Sequence, residues 1–470
     1  METLEKHDIQ GFVLRGYGKM RHTIYVLLHV DDAARAKAWL AQLSIDVTDG
    51  NQHPKHTALN LAVSCPGLEA LGMSESSRRQ FAREFREGLT EPHRQRLLGD
   101  VGEDSPDKWR WGGTQGDARA ERVHMVLMVF AADAAILKEY WDQVRQVVLD
   151  HGMSILGMLD GQLDKDNKEV FGFKDGISQP LIAGNHPDTN PFDTVAAGEF
   201  LLGYKNEYGV LPETPIIPTK DQQGDVNLLP TIDGDKKDLG RNGTYLVFRQ
   251  MQQHYDEFWA FMRENSTSED DAVKLASKMM GRWPSGAPLT LHPDADPGKD
   301  QPNYFASNDF GYAEKDKDGM RCPFGSHIRR SNPRDVFEEN DVKLSLSLTK
   351  KHRVIRRGRD YKISIAAAEG HPARDEIGLN FMCFNADISH QFEFLYHTWI
   401  NFPRFDRLYN DPDPIIGTIR DPAPGVEQNF TIPQCPVNRQ VQNLKRFVTI
   451  RGGVYLFFPS IKAIKYLATI

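Results

Sequence analysis

Cysteine is scarce in this chain of 470 residues: Cys65, Cys322, Cys383 and Cys435 are the only four, far apart and never spaced as CxxC. That excludes a disulfide framework and a cysteine-based zinc site, and it predicts a reducing compartment. An excess of basic charge is also missing. With 57 Lys+Arg against 65 Asp+Glu the net charge is −8, which argues against a nucleic-acid binder or a protein held on anionic membranes. No stretch approaches the roughly 18 to 20 uncharged apolar residues that a membrane span needs. The opening METLEKHDIQ has neither an apolar core behind basic residues nor a twin-Arg pair, so a cytoplasmic protein is expected. The common catalytic signatures are absent too. There is no GxxxxGK[ST], no HExxH and no GxSxG, which removes the simplest nucleotide-hydrolysing, zinc-protease and serine-hydrolase readings. The GYGKMR at Gly16 lacks the third glycine of a dinucleotide fingerprint and precedes its strand instead of following one.

What is present is the composition of a folded globular protein, with 40% hydrophobic, 10% aromatic and 26% charged residues. Its length suits two or three domains, or one duplicated unit. The apolar run His22 to Val30 reads as a strand, followed by an Ala/Leu-rich helix that Asp31 and Asp32 cap. Further strands are predicted at Thr57 to Cys65 and Val123 to Phe130, a helix at Ala131 to His151, a polar helix at Glu75 to Leu89, and a last run at Glu169 to Phe173. This order suggests a ferredoxin-like α+β unit. The second half repeats the theme: strand Thr244 to Gln250 before helix Met251 to Asn265, strand Gly378 to Phe384 before helix Ile388 to Ile400, and strand Phe447 to Phe458 before a terminal helix. Leu211 to Asp238, dense in Pro, Asp and Gly, reads as a long connection. The expected domains are 1–210, a connecting segment 211–240, and 241–470.

Four segments carry chemistry. In FGFKDGISQP (Phe171 to Pro180), Gly172 and Gly176 bracket Asp175, an arrangement that can hold a carboxylate on a tight turn or simply form a common Asp-Gly turn. In RCPFGSHIRRSNPRD (Arg321 to Asp335), His327 stands among Arg329, Arg330 and Arg334, a setting for an anionic cofactor with an imidazole ligand or a solvated basic run. HRVIRRGRDY (His352 to Tyr361) crowds Arg353, Arg356, Arg357 and Arg359 together, and a guanidinium aimed into a pocket stabilises developing negative charge. In GLNFMCFNADISHQFEF (Gly378 to Phe394), Leu379 and Phe381 share one face of a strand and are able to wall a dry pocket or a plain core.

Taken together and in this order, GFKDG, SHIRRSNPRD, RVIRRG and GLNFMCF resemble the dye-decolourising peroxidase family of haem enzymes. Further matches are DIQGFVLRGYG, NLAVSCPGLEALG, DLGRNGTYLVFRQM, GRWPSGAPL and RGGVYLFFPS, so the resemblance runs through most of the chain. It is similar to the larger bacterial and fungal-like branch. The resemblance implies an α+β fold of two ferredoxin-like halves forming a dimeric α+β barrel-like core, with haem mainly in the C-terminal half. It implies one haem b per chain, with His327 as proximal iron ligand, Asp175 as distal carboxylate and Arg356 as distal cation. Leu379 and Phe381 would line the distal face, and Arg334, Arg329 or Arg353 would meet the haem propionates. Asp387 is the expected acceptor for the other N–H of His327. The implied reaction is reduction of hydrogen peroxide through a ferryl intermediate with oxidation of anthraquinone dyes, phenols and similar aromatic donors, best in acid. The alternative is a protein that binds haem or handles its iron with little turnover; retention of both Asp175 and Arg356 favours the enzyme. Monomer and homodimer are both open at this stage.

Overall fold

Both halves of the chain build the same antiparallel sheet. The computed structural model describes residues 3–115, 122–186, 190, 192–218, 223–232, 234–298, 308–338, 340–366, 374–417 and 428–470. The first half supplies β1 (His22–Val30), β2 (Thr57–Val63), β3 (Met125–Ala131) and β4 (Met153–Gln162), paired in the order β4-β1-β3-β2. The second supplies β5 (Thr244–Gln253), the two-residue β6 (Ile355–Arg356), β7 (Arg359–Ile365), β8 (Arg374–Asn385) and β9 (Val448–Phe458). Its order is β9-β5-β8-β7, with β6 beside β7 along one edge of β8. Leaving β6 aside, each sheet has the fourth-first-third-second order of a ferredoxin-like unit. Two seams join them, Asp360 of β7 opposite Gln162 of β4 and Phe457 of β9 opposite Val63 of β2. The sheet thereby closes into the α+β barrel that the resemblance implies.

Period-two alternation decides which side chains go inside. Tyr25, Met128, Phe248, Phe384 and Phe458 fill the barrel interior, which is packed with side chains. Their strand neighbours Ile24, Val129 and Val247 belong to a second core on the outer side. There, α1 (Ala33–Asp46) and α2 (Ala134–Asp150) cover the first sheet with Trp39, Leu40 and Trp141. Each helix starts on an aspartate, Asp32 accepting from the Ala34 and Arg35 N–H groups and Asp133 from that of Ile136. The second half adds α3 (Tyr255–Glu264), α4 (Glu269–Met280), the short α5 (His327–Ser331) and the terminal α6 (Ile461–Leu467), which packs on α1. Among the described residues no helix is long and apolar enough to cross a membrane.

Several elements differ from the sequence reading. The run Glu169 to Phe173 is a loop. The fourth strand is Met153–Gln162, whose largely half-exposed, Gly-interrupted MSILGMLDGQ carries little strand signal. The strand at Thr57 stops at Val63 because the Ser64 hydroxyl accepts the Gly67 N–H and starts a short helix, Cys65–Ala70. Glu75 to Leu89 breaks into Glu75–Arg78 and Arg83–Glu87. The stretch after Ile388 winds in wide π-type turns, Ser389–Glu393 and Leu395–Ile400, a form that is frequent at functional sites.

Candidate active site

The outer face of the second sheet is where the barrel leaves room. Met251 and Gln253 of β5, Leu379 and Phe381 of β8 and Val448 of β9 form one wall of a cavity, and Phe392, Tyr396 and Ile328 stand opposite or beside them. The side chains around the gap are mostly apolar.

His327 enters this cavity as the first residue of α5. The helix is fixed from below: the Ser326 hydroxyl donates to the Lys278 carbonyl at 2.6 Å, and the Arg330 guanidinium donates to the carbonyls of Trp399, Ile400 and Phe402. His327 Nδ1–H donates to Asp413 Oδ2 at 2.9 Å. A carboxylate oxygen only accepts, so the proton sits on Nδ1 and Nε2 keeps its lone pair. Asp413 is fully buried, and its other oxygen accepts the Ile415 and Ile416 N–H groups at 2.9 and 3.0 Å. Burial acts to raise its pKa, but the His327 ring and the backbone donors win and hold it below the usual carboxylate value. Among the described residues no three His, Cys, Asp or Glu side chains converge as a metal-holding group.

Across the cavity, Asp175 rides on the GFKDG loop, whose Gly172 (φ 99) and Gly176 (φ 79) adopt backbone that L residues avoid. Arg356 sits on β6, its N–H held by the Gln179 side chain at 3.0 Å. Its Nη2 donates to Asp175 Oδ1 at 3.4 Å, with side chains 32% and 48% exposed. The pair thus lies at the mouth, partly open to solvent. Leu379 and Phe381, two apart on β8, both face the cavity as their shared strand face requires.

One end of the cavity is cationic. Arg334 Nη2 donates to Asn308 Oδ1 at 2.6 Å, and Arg282 Nη2 donates to the same oxygen at 3.1 Å and to the Ser178 hydroxyl at 2.9 Å. Arg353 pairs with the buried Asp193 at 3.5 Å, and Asn308 also donates to Asp193. Burial, with Arg334 close by, pushes Arg282 down to about 10, and burial likewise takes Arg353 down to about 10. The Tyr312 hydroxyl lines the same region, fully buried and without a hydrogen-bond partner among the described residues. Clustered guanidiniums beside an orphaned phenol call for an anion. A flat apolar ligand carrying carboxylate arms and a metal fits all three parts of the cavity, and haem is such a ligand.

The structure thus brings His327, Asp175, Arg356, Leu379, Phe381 and Arg334 around one space. It does not bring in the other three expected residues. The acceptor for His327 is Asp413, not Asp387, whose oxygens are occupied by the Ser389 hydroxyl and by the backbone N–H and Nδ1 of His390. Arg329 is buried outside the cavity wall, donating to Asp316 and the Cys322 carbonyl between the rings of Tyr312 and Phe324. Arg353 lies behind the wall, tied to Asp193 and to the carbonyls of Phe192 and Ser178. Sequence reasoning missed Arg282, Tyr312 and Asp413. Arg282 lies in GRWPSGAPL, which was read only as a match; Asp413 lies in NDPDPIIG, where nothing distinguishes it from a turn aspartate.

No family model matches the chain. It is 28% identical to dye-decolorizing peroxidase msp1 of Mycetinis scorodonius, over 98% of this chain and 87% of that protein. It is 26% identical to the multifunctional dye peroxidase DyP2 of an Amycolatopsis species, over 98% and 95% of the two chains. Among solved structures, a fungal DyP-type peroxidase from Auricularia auricula-judae superposes with a TM-score of 0.78 at 24% identity, covering all of both chains. A dye-decolorizing peroxidase in complex with 2,6-dimethoxyphenol does so with a TM-score of 0.78 at 25% identity, covering 99% and 100%.

Proposed function

We propose that this chain, which belongs to the dye-decolourising peroxidase family, is a haem peroxidase that reduces hydrogen peroxide and oxidises dyes and phenols. The observation that carries the reading is the single cavity with His327 on one side, the Asp175–Arg356 pair on the other and guanidiniums at one end. We assign it one haem b per chain. The names of the relatives and the phenol bound to one solved neighbour support dyes and phenols as donors, and anthraquinone dyes are the dye class we assign. We keep 211–240 as the division between domains 1–210 and 241–470, so that Asp175 comes from the first and His327 from the second. The scarcity of cysteine supports a cytoplasmic location.

Bound there, haem would supply the redox centre for the two-electron reduction of the peroxide O–O bond. His327 Nε2 would hold its iron. Asp413 fixes the ring and, by accepting its Nδ1–H, makes it a stronger electron donor. Asp175 takes the proton of the inner peroxide oxygen and delivers it to the outer one, and Arg356 offsets the negative charge that builds there. Leu379 and Phe381 give the cavity beside this pair an apolar wall. Arg334 and Arg282, with the Tyr312 hydroxyl, hold the carboxylate arms.

Haem-loaded protein mixed with one equivalent of hydrogen peroxide is the test: the Soret band shifts at once and returns when an anthraquinone dye or 2,6-dimethoxyphenol is added. Slow bleaching without recovery would instead assign the chain to haem handling. Turnover of dye rises toward acid pH; a rate flat from acid to neutral contradicts that part. Asp413→Ala is expected to lower haem affinity or turnover by about 10- to 100-fold, as loss of such an outer partner does. Titration of apoprotein with haem and the reduction potential of the loaded variant check it, the potential rising as the ring loses basicity.

A further inference from the structure

The GFKDG loop is built around a carboxylate that the mechanism above does not use. Glu169 lines the cavity two residues before the loop begins. Its Oε1 accepts the Phe173 N–H at 3.0 Å and its Oε2 the Phe171 N–H at 2.9 Å. Oε2 also accepts Gln253 Nε2–H at 2.8 Å, from the last residue of β5. The backbone closes the same ring: Glu169 N–H donates to the Phe173 carbonyl and Gly172 N–H to that of Glu169, each within 2.9 Å. Aromatic contacts hold the outside, with Phe171 stacked on Phe258 at 4.4 Å and Trp259 Nε1 donating to the Phe171 carbonyl at 3.2 Å.

We propose that Glu169 is a positioning residue for the peroxide step: it fastens the 171–176 loop to β5 so that Asp175 faces Arg356 across the cavity mouth. The inference rests on the peroxidase reading. Both carboxyl oxygens are engaged, each receiving a backbone N–H from one side of Gly172, where the chain runs at φ 99, so that the side chain adds to the backbone bonds that close the same turn. An amide cannot substitute, because its nitrogen would face one of the two N–H donors. A protonated carboxyl can, since its hydroxyl oxygen still has a lone pair. Burial pushes Glu169 up to about 7, with the Asp175 charge adding to the effect.

Glu169→Gln, Asp175→Asn and the double variant test this. In Glu169→Gln, haem-free and haem-loaded, amide exchange at residues 171–176 quickens by at least about tenfold, the effect of one unsatisfied buried donor, while exchange in β5 and β8 stays slow. The rate of reaction with peroxide falls by about the same factor, and the KM for dye does not move. In the double variant the rate is no lower than in Asp175→Asn alone, because Glu169 acts through Asp175. Glu169→Asp, which keeps two acceptor oxygens, recovers part of the loss. Exchange in Glu169→Gln as slow as in the wild type, or losses that add in the double variant, would falsify the proposal. If the wild type binds no haem or ignores peroxide, the peroxidase reading fails, while the exchange arm still reports what Glu169 holds.

Discussion

His327→Ala abolishes the Soret band of a ligated haem, and free imidazole restores it. The expectation follows from the isolation of the ring. Among the described residues it is the one imidazole that lines the cavity, and its Nδ1 is engaged by Asp413, which leaves Nε2 as the ring nitrogen offered to iron. Loss of an outer partner of such a ligand costs about 10- to 100-fold in affinity, and loss of the ligand itself costs more than about 100-fold. The variant leaves the buried Asp413 without its donor, although the Ile415 and Ile416 N–H groups still hold the other oxygen. Imidazole diffusing into the vacated space would satisfy Asp413 and iron together. Haem titration followed by absorption, with and without imidazole, reads both effects. Tight haem binding by His327→Ala with an unchanged band would remove the ligand role and every assignment built on it.

The second large effect lies at the mouth. Asp175→Asn lowers the rate of reaction with peroxide by about 100-fold or more, the ordinary contribution of a positioned acid-base group. Arg356→Leu lowers it by about 100- to 1000-fold, the range for removing one preorganised donor to a developing charge. The two share one peroxide, so the double variant is far less impaired than the product of the single losses. Neither change threatens the fold. Asp175 and Arg356 touch at 3.4 Å and are 48% and 32% exposed, a solvent-screened pair worth at most about 1 kcal/mol. Stopped-flow mixing with peroxide and a thermal melt of the same samples separate the two readouts: a slow reaction with an unmoved melting temperature. A full-rate reaction in both single variants would mean that the peroxide proton is moved by water alone.

Strands β1, β3 and β5 were legible because they are buried on both faces and read as apolar runs, and β8 because buried and half-exposed residues alternate along it. Met153–Gln162 escaped because it is half-exposed and interrupted by glycine, and the short helix Cys65–Ala70 escaped because it is too short to carry a period. His327, Asp175 and Arg356 were found through motifs whose order is specific where each alone is weak. Asp387 illustrates the opposite case. It begins a helical segment, and an aspartate there is usually consumed by its own backbone, as the N–H of His390 shows. Asp413, 86 residues from His327, reaches it only through the packing of 400–416 beneath α5. Three arginines in a row of sequence look alike, yet Arg330 ties carbonyls, Arg329 sits between rings and Arg334 alone of the three faces the cavity. Such sorting is decided by tertiary contacts, which spacing does not encode.

The two sheets share a strand order but differ in what covers their outer faces. Over the first, α1 and α2 close directly on the strands with Trp39, Leu40 and Trp141. Over the second, the covering layer stands off, and Met251, Leu379 and Phe381 look into space. A macrocycle placed there completes the interior of that half as the helices complete the other, so binding and consolidation of the fold are linked. The haem-loaded chain is therefore expected to outlast the haem-free chain under proteolysis.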